Sequence, residues 1–195
     1  MIQVVADRIA TFIVKNDDDA DFEVLAYGYG LIVSGIVNYT VMIVSAVIFG
    51  VILEMLIAIA TYITMRLTIG GVHANSRLLC FVTYASALYA SIFLSFVVNM
   101  SGVAIAALYG FNVALLVLYA PSDTVEQPIV KRHLLRKILG VVFLSLFAAV
   151  SMLGWDIRVI ANILLFVPTI TCVFLHPIVY RIFSCNKSVY CGIKR

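Results

Sequence analysis

The chain has 195 residues, of which 64% are apolar and 12% are charged, and its formal net charge is +3. An ordinary soluble domain is about half apolar and a quarter charged, so this chain has too little polar surface to cover a water-soluble globule. The composition excludes a secreted disulfide scaffold, a disordered regulator and a nucleic-acid-binding domain. It predicts an all-α polytopic membrane protein surrounded by lipid, with about six hydrophobic helical segments.

The chain begins with a segment of mixed character. Residues 1–15 carry apolar side chains at helical spacing with polar residues between them. This pattern predicts a short amphipathic helix on the membrane surface, and it lacks the uninterrupted apolar core and cleavage site of a signal peptide. A polar, acidic break follows over residues 16–21.

A long apolar stretch comes next, and its only formal charge between Val24 and Met65 is Glu54. As one helix this stretch would be about 63 Å long, twice the thickness of a bilayer core. We therefore predict two segments, broken near Gly35–Asn38 or at Gly50. A carboxylate is costly inside a membrane, which makes Glu54 a functional candidate, but a turn at Gly50 would place it near the outer interface.

The rest of the chain alternates polar segments with apolar spans. The predicted spans are Leu78–Val98, Val103–Tyr119, Ile138–Leu153 and Val159–Tyr180, and the polar segments are Arg66–Arg77, the basic loop 120–137 and the tail 181–195. The two hairpins place these polar segments on one side, which collects ten of the 13 basic residues, or twelve with Arg8 and Lys15. Basic residues favour the cytoplasmic side, so both termini are predicted to be cytoplasmic.

A histidine and a cysteine stand close together at the border of one span. Histidine titrates near neutrality, and a thiol needs a base to become a nucleophilic thiolate, so His73 and Cys80 are candidate catalytic residues. In an unbroken helix they would lie about 10.5 Å apart along the axis, beyond hydrogen-bond reach. The pair Gly70-Gly71 permits a sharp turn, after which His73 would fold back over the first turns of the next helix.

Several neighbours are candidates to support this pair. Asn75 or Ser76 is a good N-cap for the helix that follows, and the positive end of that helix favours the thiolate of Cys80. Asn75, Ser76 or an acid from elsewhere, such as Asp123, would orient His73. A packing role for Cys80 and a merely hydrated His73 stay open as the alternative interpretation.

Other chemistry is less favoured by the sequence. A zinc site needs three or four ligands, so we predict neither a metal nor another cofactor. The remaining cysteines are interpreted as structural or free thiols: Cys172, Cys185 and Cys191.

Two motifs of the chain resemble, in their residues and their order, those of a known family. They are Arg66–x3–Gly70-Gly71–x–His73-Ala74 followed by Cys80, and Tyr119-Ala120-Pro121–x2–Thr124–x3–Pro128-Ile129 followed by a basic run. The chain is similar over essentially its whole length to the accessory gene regulator B family. The members of this family are quorum-sensing membrane cysteine endopeptidases of Gram-positive bacteria.

The resemblance implies a reaction. Cys80 would attack the carbonyl that joins the signal segment of a small amphipathic pro-peptide to its acidic tail, with His73 as base. A cysteine or serine of the substrate would then attack the resulting thioester and close a thiolactone or lactone ring. Arg66, Gly70 and Gly71 would supply substrate contact and turn geometry. The resemblance also implies a bacterial cell membrane location, one peptidase domain over 1–195 and a homodimer.

A basic cluster and two rival functions complete the predictions. Lys131, Arg132, Arg136 and Lys137 would attract an acidic peptide tail or anionic lipid headgroups, or they would only set the topology. The rivals are a small transporter that exports a peptide or lipid, and a non-catalytic scaffold for a partner kinase.

Overall fold

The computed structural model describes residues 2–15, 21–72, 77–122, 132–153 and 158–183. They form two compact units, Met1–Ile52 and Leu53–Arg195. The helices are α1 (Ile2–Val14), α2 (Phe22–Phe49), α3 (Ile52–Ile69), α4 (Arg77–Val97), α5 (Gly102–Tyr119), α6 (His133–Leu153), α7 (Arg158–Val173) and α8 (Pro177–Ile182). Within the described residues, α2 to α6 are long and apolar enough to cross a membrane, and α7 is a shorter apolar helix. The prediction of an all-α polytopic membrane protein is confirmed.

The first unit pairs α1 with α2. Ala6 and Ala10 are fully buried on α1, which packs against α2, whereas Phe12 is 70% exposed and available to lipid. The side chain of Asp21 caps α2 by accepting hydrogen bonds from the backbone N–H groups of Glu23 and Val24. An aspartate at this position satisfies backbone donors that have no partner inside the helix. The amphipathic helix is thus present, and its place on the membrane surface stays a prediction.

The long apolar stretch breaks at Gly50. Its backbone is left-handed, with φ of 69°, and its N–H closes α2 on the carbonyls of Ala46 and Val47. The alternative break near Gly35–Asn38 is wrong, because α2 runs through those residues and a single glycine inside a helix costs only about 1 kcal/mol. Glu54 consequently falls in the first turn of α3, where a carboxylate complements the positive end of the helix.

The second unit is built around contacts among α4, α5, α6 and α7. Gly140 on α6 allows close packing, because a Cβ there would lie 2.5 Å from the side chain of Ile69 and 3.1 Å from that of Leu116. These two side chains belong to a buried cluster with Met65, Leu144, Cys172 and Leu175. The end of α3 is therefore held against the middle of the helical bundle.

Two segments differ from the predicted boundaries. The predicted span Val159–Tyr180 is wrong as one helix, since α7 ends at Val173 and α8 begins at Pro177. Proline has no N–H and pushes the preceding residue into extended backbone, as His176 shows with φ of −69° and ψ of 136°. In addition, α6 begins at His133, so the last residues of the predicted loop 120–137 are helical.

Candidate active site

The predicted turn at Gly70-Gly71 is present at the end of α3. Gly70 has φ of 75° and Gly71 has φ of 128°, and the N–H of Gly70 donates to the carbonyl of Arg66 at 3.1 Å. Left-handed backbone costs a residue with a side chain about 1–2 kcal/mol. Glycine is therefore the residue that this turn requires.

The side chain of Arg66 stabilises the turn through hydrogen bonds to its carbonyls. Its guanidinium donates to the carbonyl oxygen of Gly70 at 3.4 Å and to that of Val72. The same group occupies the space that a Cβ on Gly71 would need. Because charged donors make stronger hydrogen bonds than neutral ones, Arg66 fixes the path of the chain from Gly70 to Val72. Turn geometry accounts for Arg66, whereas a contact with substrate stays a prediction.

The second sequence motif pairs with this turn. The N–H of Gly71 donates to the carbonyl of Ser122 at 2.7 Å, and the N–H of Ser122 donates to the carbonyl of Ile69 at 3.0 Å. Ser122 is fully buried and follows Pro121, whose peptide bond with Ala120 is cis. Two segments about 50 residues apart in the chain therefore form one backbone unit, which no spacing in the sequence had indicated.

Cys80 opens onto a cavity beside the turn. The thiol is free and half-buried in the first turns of α4. The cavity has a volume of about 20 Å³, and it is lined by Tyr62, Val72, Cys80, Thr83, Tyr84, Phe174 and Phe183. Val72 is tied to the α7–α8 connection, because its N–H donates to the carbonyl of Phe174 at 3.4 Å. The residue that directly precedes His73 therefore lines the same cavity as Cys80.

The aromatic wall of the cavity was missed in the sequence. The rings of Tyr62 and Tyr84 stack with centroids 5.8 Å apart, and Phe81 meets Tyr84 edge-on at 5.5 Å. Tyr84 lies four residues after Cys80, a spacing that puts both on one face of a helix, so this member was detectable. Phe174 and Phe183 come from distant segments and carry no such signal.

Two residues of the basic cluster, Arg136 and Lys137, bind carbonyls at the ends of helices. Arg136 donates from its guanidinium to the carbonyl of Leu67 at 3.3 Å, near the end of α3. The ammonium of Lys137 donates to the carbonyl of Val117, near the end of α5. The last carbonyls of a helix have no partner inside it, so these cations act as C-terminal caps. Arg132 is exposed just before α6.

Part of the predicted site lies outside the described residues: His73, Asn75, Ser76, Asp123 and Lys131. Among the residues that are described, Arg66, Gly70 and Gly71 meet at one turn, and Cys80 shares a cavity with the end of that turn. The described parts contain no group of three or more His, Cys, Asp or Glu side chains able to hold a metal ion. The described residues thus place a free thiol in an aromatic-lined cavity next to the end of the turn.

Comparison with known proteins agrees with the motifs. The family model described as accessory gene regulator B (AgrB) matches residues 6–184, nearly the whole chain. No curated protein matches the chain, and no solved structure does.

Proposed function

We propose, since this chain belongs to the accessory gene regulator B family, that it is a membrane cysteine endopeptidase. Membership supports a role in processing quorum-sensing peptides. The finer proposal is that Cys80 cleaves the C-terminal tail from a pro-peptide and passes the signal segment on as a cyclic thiolactone or lactone. His73 is the base, and the enzyme needs no cofactor.

One observation carries this proposal. Val72 and Cys80 line the same cavity, and His73 is the next residue after Val72. Helix α3 ends at Ile69 and residues 70–72 are not helical, so the described chain breaks its helix just before His73. The geometry of the described residues thus supports the pairing of His73 with Cys80.

The proposed reaction has two acyl transfers. The Sγ of Cys80 attacks the carbonyl carbon at the cleavage site, and His73 takes the thiol proton and gives it to the leaving amine. A C–S bond forms, the C–N bond breaks, and the tail departs with a free amino group. A thiol or hydroxyl of the substrate then attacks the thioester and closes the ring, and the proton that it releases returns to Cys80. This exchange of a thioester for a thiolactone roughly conserves bond energy, so ring closure needs no ATP.

The proposed role of Arg66 is positioning. Its guanidinium binds the carbonyls of Gly70 and Val72, so it sets where the chain leaves the turn toward His73. Replacing it with lysine keeps the charge but loses the fork of donors that reaches two carbonyls. Arg66→Lys is therefore expected to slow cleavage with little change in the amount of folded protein in the membrane.

The basic cluster is proposed to bind the acidic tail of the substrate. Arg132 is exposed, and a guanidinium has five N–H donors, of which Arg136 uses one on Leu67. Both therefore have donors for a carboxylate. Lys137 caps α5 instead, which makes it the weaker candidate. We also propose that both termini face the cytoplasm and that the protein acts as a homodimer.

The experiment is co-expression with the small amphipathic pro-peptide encoded beside the chain. Cys80→Ala and His73→Ala should both stop release of the tail, and wild type should accumulate a hydroxylamine-sensitive adduct at Cys80. Cys172→Ala is the matched control, since that cysteine is buried in the core cluster and its loss should leave cleavage intact. Tail release by either of the first two variants at the rate of Cys172→Ala would refute the proposal.

A transporter remains the second candidate because of one observation. Asn112 is fully buried near the middle of α5, and its amide donates to Thr169 at 2.8 Å, beside Pro168 inside α7. Polar groups at broken helices within the membrane are typical of transporters. Export of a peptide or lipid that survives Cys80→Ala but not a change at Asn112 would favour this function.

A further inference from the structure

A second, larger cavity lies at the other end of the second unit. It has a volume of about 280 Å³ and sits where α4 leads into α5 and where α6 ends and α7 begins. Tyr84 lines the cavity of Cys80 and Asn99 lines this one, so the two lie roughly 20 Å apart along α4. It is therefore distinct from the candidate active site, and nothing in the proposed reaction uses it.

The polar side of this cavity contains a fixed amide. Asn162 is 4% exposed, and its Nδ2 donates to the carbonyls of Ser95 at 3.2 Å and Val98 at 2.8 Å. These carbonyls end α4, where the helix leaves acceptors without partners. With both amide hydrogens used, the orientation of the amide is set. Within the described chain its Oδ1 accepts no hydrogen bond, and it is the atom left for a ligand that carries a donor.

The charged side of the cavity is Arg158. It lies at the first residue of α7 and lines the cavity together with Asn162. Among the described residues that line it, Arg158 is the charged one. A guanidinium binds phosphate oxygens with two parallel hydrogen bonds. The cavity thus offers an anion site and, beside it, a hydrogen-bond acceptor.

The surroundings of the cavity are apolar. Met100, Ile105, Met152 and Ala161 are the apolar side chains of its lining, which also includes Asn99, Gly102 and Ser151. Val97, Val103 and Leu153, which are near lining residues in the chain, are each more than 80% exposed. Exposed apolar side chains in this number indicate contact with lipid. An amphiphile of the bilayer is therefore the class of ligand that suits these surroundings.

We propose that this cavity binds an anionic phospholipid whose headgroup carries a hydroxyl. The phosphate lies against Arg158, a headgroup hydroxyl donates to Oδ1 of Asn162, and an acyl chain runs along the methionine and isoleucine side chains. A soluble phosphate ester offers the same anion without the chain. A short apolar peptide with a free carboxylate is the competing class of occupant, and it is an outcome of the test.

The test is thermal unfolding of the full-length protein in detergent with added lipid. Phosphatidylglycerol should raise the Tm, whereas phosphatidylcholine and soluble glycerol phosphate should not. Arg158→Gln should shift the half-saturating phosphatidylglycerol concentration by about tenfold or more, as expected for loss of a charge-assisted contact. Arg181→Gln, which removes an exposed arginine of α8, is the matched control and should respond like wild type.

Several results would overturn the proposal. These are an equal response to both lipids, an unchanged response in Arg158→Gln, or stabilisation by glycerol phosphate alone. Stabilisation by an apolar pentapeptide acid but not by phosphatidylglycerol would assign the cavity to a peptide. If Arg158→Gln does not fold, Arg158→Lys keeps the charge and must still prefer phosphatidylglycerol. The readout is independent of peptide cleavage, so failure here would leave the proposed peptidase standing.

Discussion

Substituting Gly71 with alanine tests the geometry of the turn most directly. The new Cβ would stand where the Arg66 guanidinium lies, and the backbone at Gly71 has φ of 128°. Strained backbone of this kind costs about 1–3 kcal/mol for a residue with a side chain. Moving the guanidinium also weakens hydrogen bonds to the carbonyls of Gly70 and Val72, which adds roughly 1.5–3 kcal/mol.

The combined cost is therefore about 2.5–6 kcal/mol, which corresponds to a Tm lower by roughly 5–25 °C for a domain of this size. Thermal unfolding in detergent and pro-peptide cleavage should be measured on the same preparations. We expect cleavage to fall by more than the loss of folded protein explains, because the turn leads directly to His73. The control is Gly110→Ala in α5, where a Cβ meets no atom within 4 Å.

A double variant separates the two causes of this loss. In Arg66→Ala/Gly71→Ala the steric conflict is gone and the backbone strain remains. The double variant should therefore lose less stability than the sum of the two single variants, as expected for residues in contact. Strict additivity, or a Gly71→Ala protein that equals Gly110→Ala in both Tm and cleavage, would refute the assigned role of Arg66.

Four further substitutions test the packing of the second unit. Gly140→Ala should destabilise it by about 1–3 kcal/mol through overpacking, since its Cβ would lie 2.5 Å from Ile69. Lys137→Met should cost about 0.5–1.5 kcal/mol, because it removes the donor at the end of α5. Thr169→Val should cost about 1–2 kcal/mol, because the buried amide of Asn112 loses its hydrogen-bond partner. Asn112→Val should change the free energy of unfolding by less than about 1 kcal/mol, because the hydroxyl of Thr169 keeps its hydrogen bond to the carbonyl of Leu165.

Thermal unfolding of these variants and their controls tests each assignment. Gly28→Ala, where a Cβ meets open space, is the control for Gly140→Ala, and equal Tm values would contradict the packing account. Lys137→Arg should restore most of the stability lost in Lys137→Met, and no recovery would show that the cap is unimportant. A larger loss in Asn112→Val than in Thr169→Val would contradict the assignment of the unpaired amide as the costly group.

The ends of the helices show which boundaries the local sequence pattern predicts correctly. Helix α4 and α5 agree with their predicted spans within one residue at each end, because their apolar runs stop at polar turns. Helix α7 ends seven residues before the predicted end at Tyr180. The stretch is apolar throughout, and hydropathy does not register the effect of Pro177 on the backbone. The break at Gly50 was one of two open choices, and hydropathy does not distinguish a glycine inside a helix from one that ends it.

In the candidate site, too, some features were predictable from the sequence and others were not. The positive φ of Gly70 and Gly71 and the placement of Cys80 in the first turns of a helix were predictable, because residue type governs turns and caps. The roles of Arg66 and Lys137 were not, since a long cationic side chain reaches either a substrate or a nearby carbonyl. The structure turns Arg66 toward carbonyls of the turn after α3 and Lys137 toward a carbonyl near the end of α5.

The excess of apolar residues over charged ones already determined that this chain is an all-α membrane protein, and its scarce polar residues marked one turn as the candidate site. These are local properties, governed by hydropathy and by the backbone preferences of single residues. Only the tertiary structure decided that residues 70–72 pair with Ser122 and with Phe174, so that Val72 and Cys80 share one cavity. Contacts between segments 50 to 100 residues apart depend on how the whole bundle packs, and no short-range pattern records that packing.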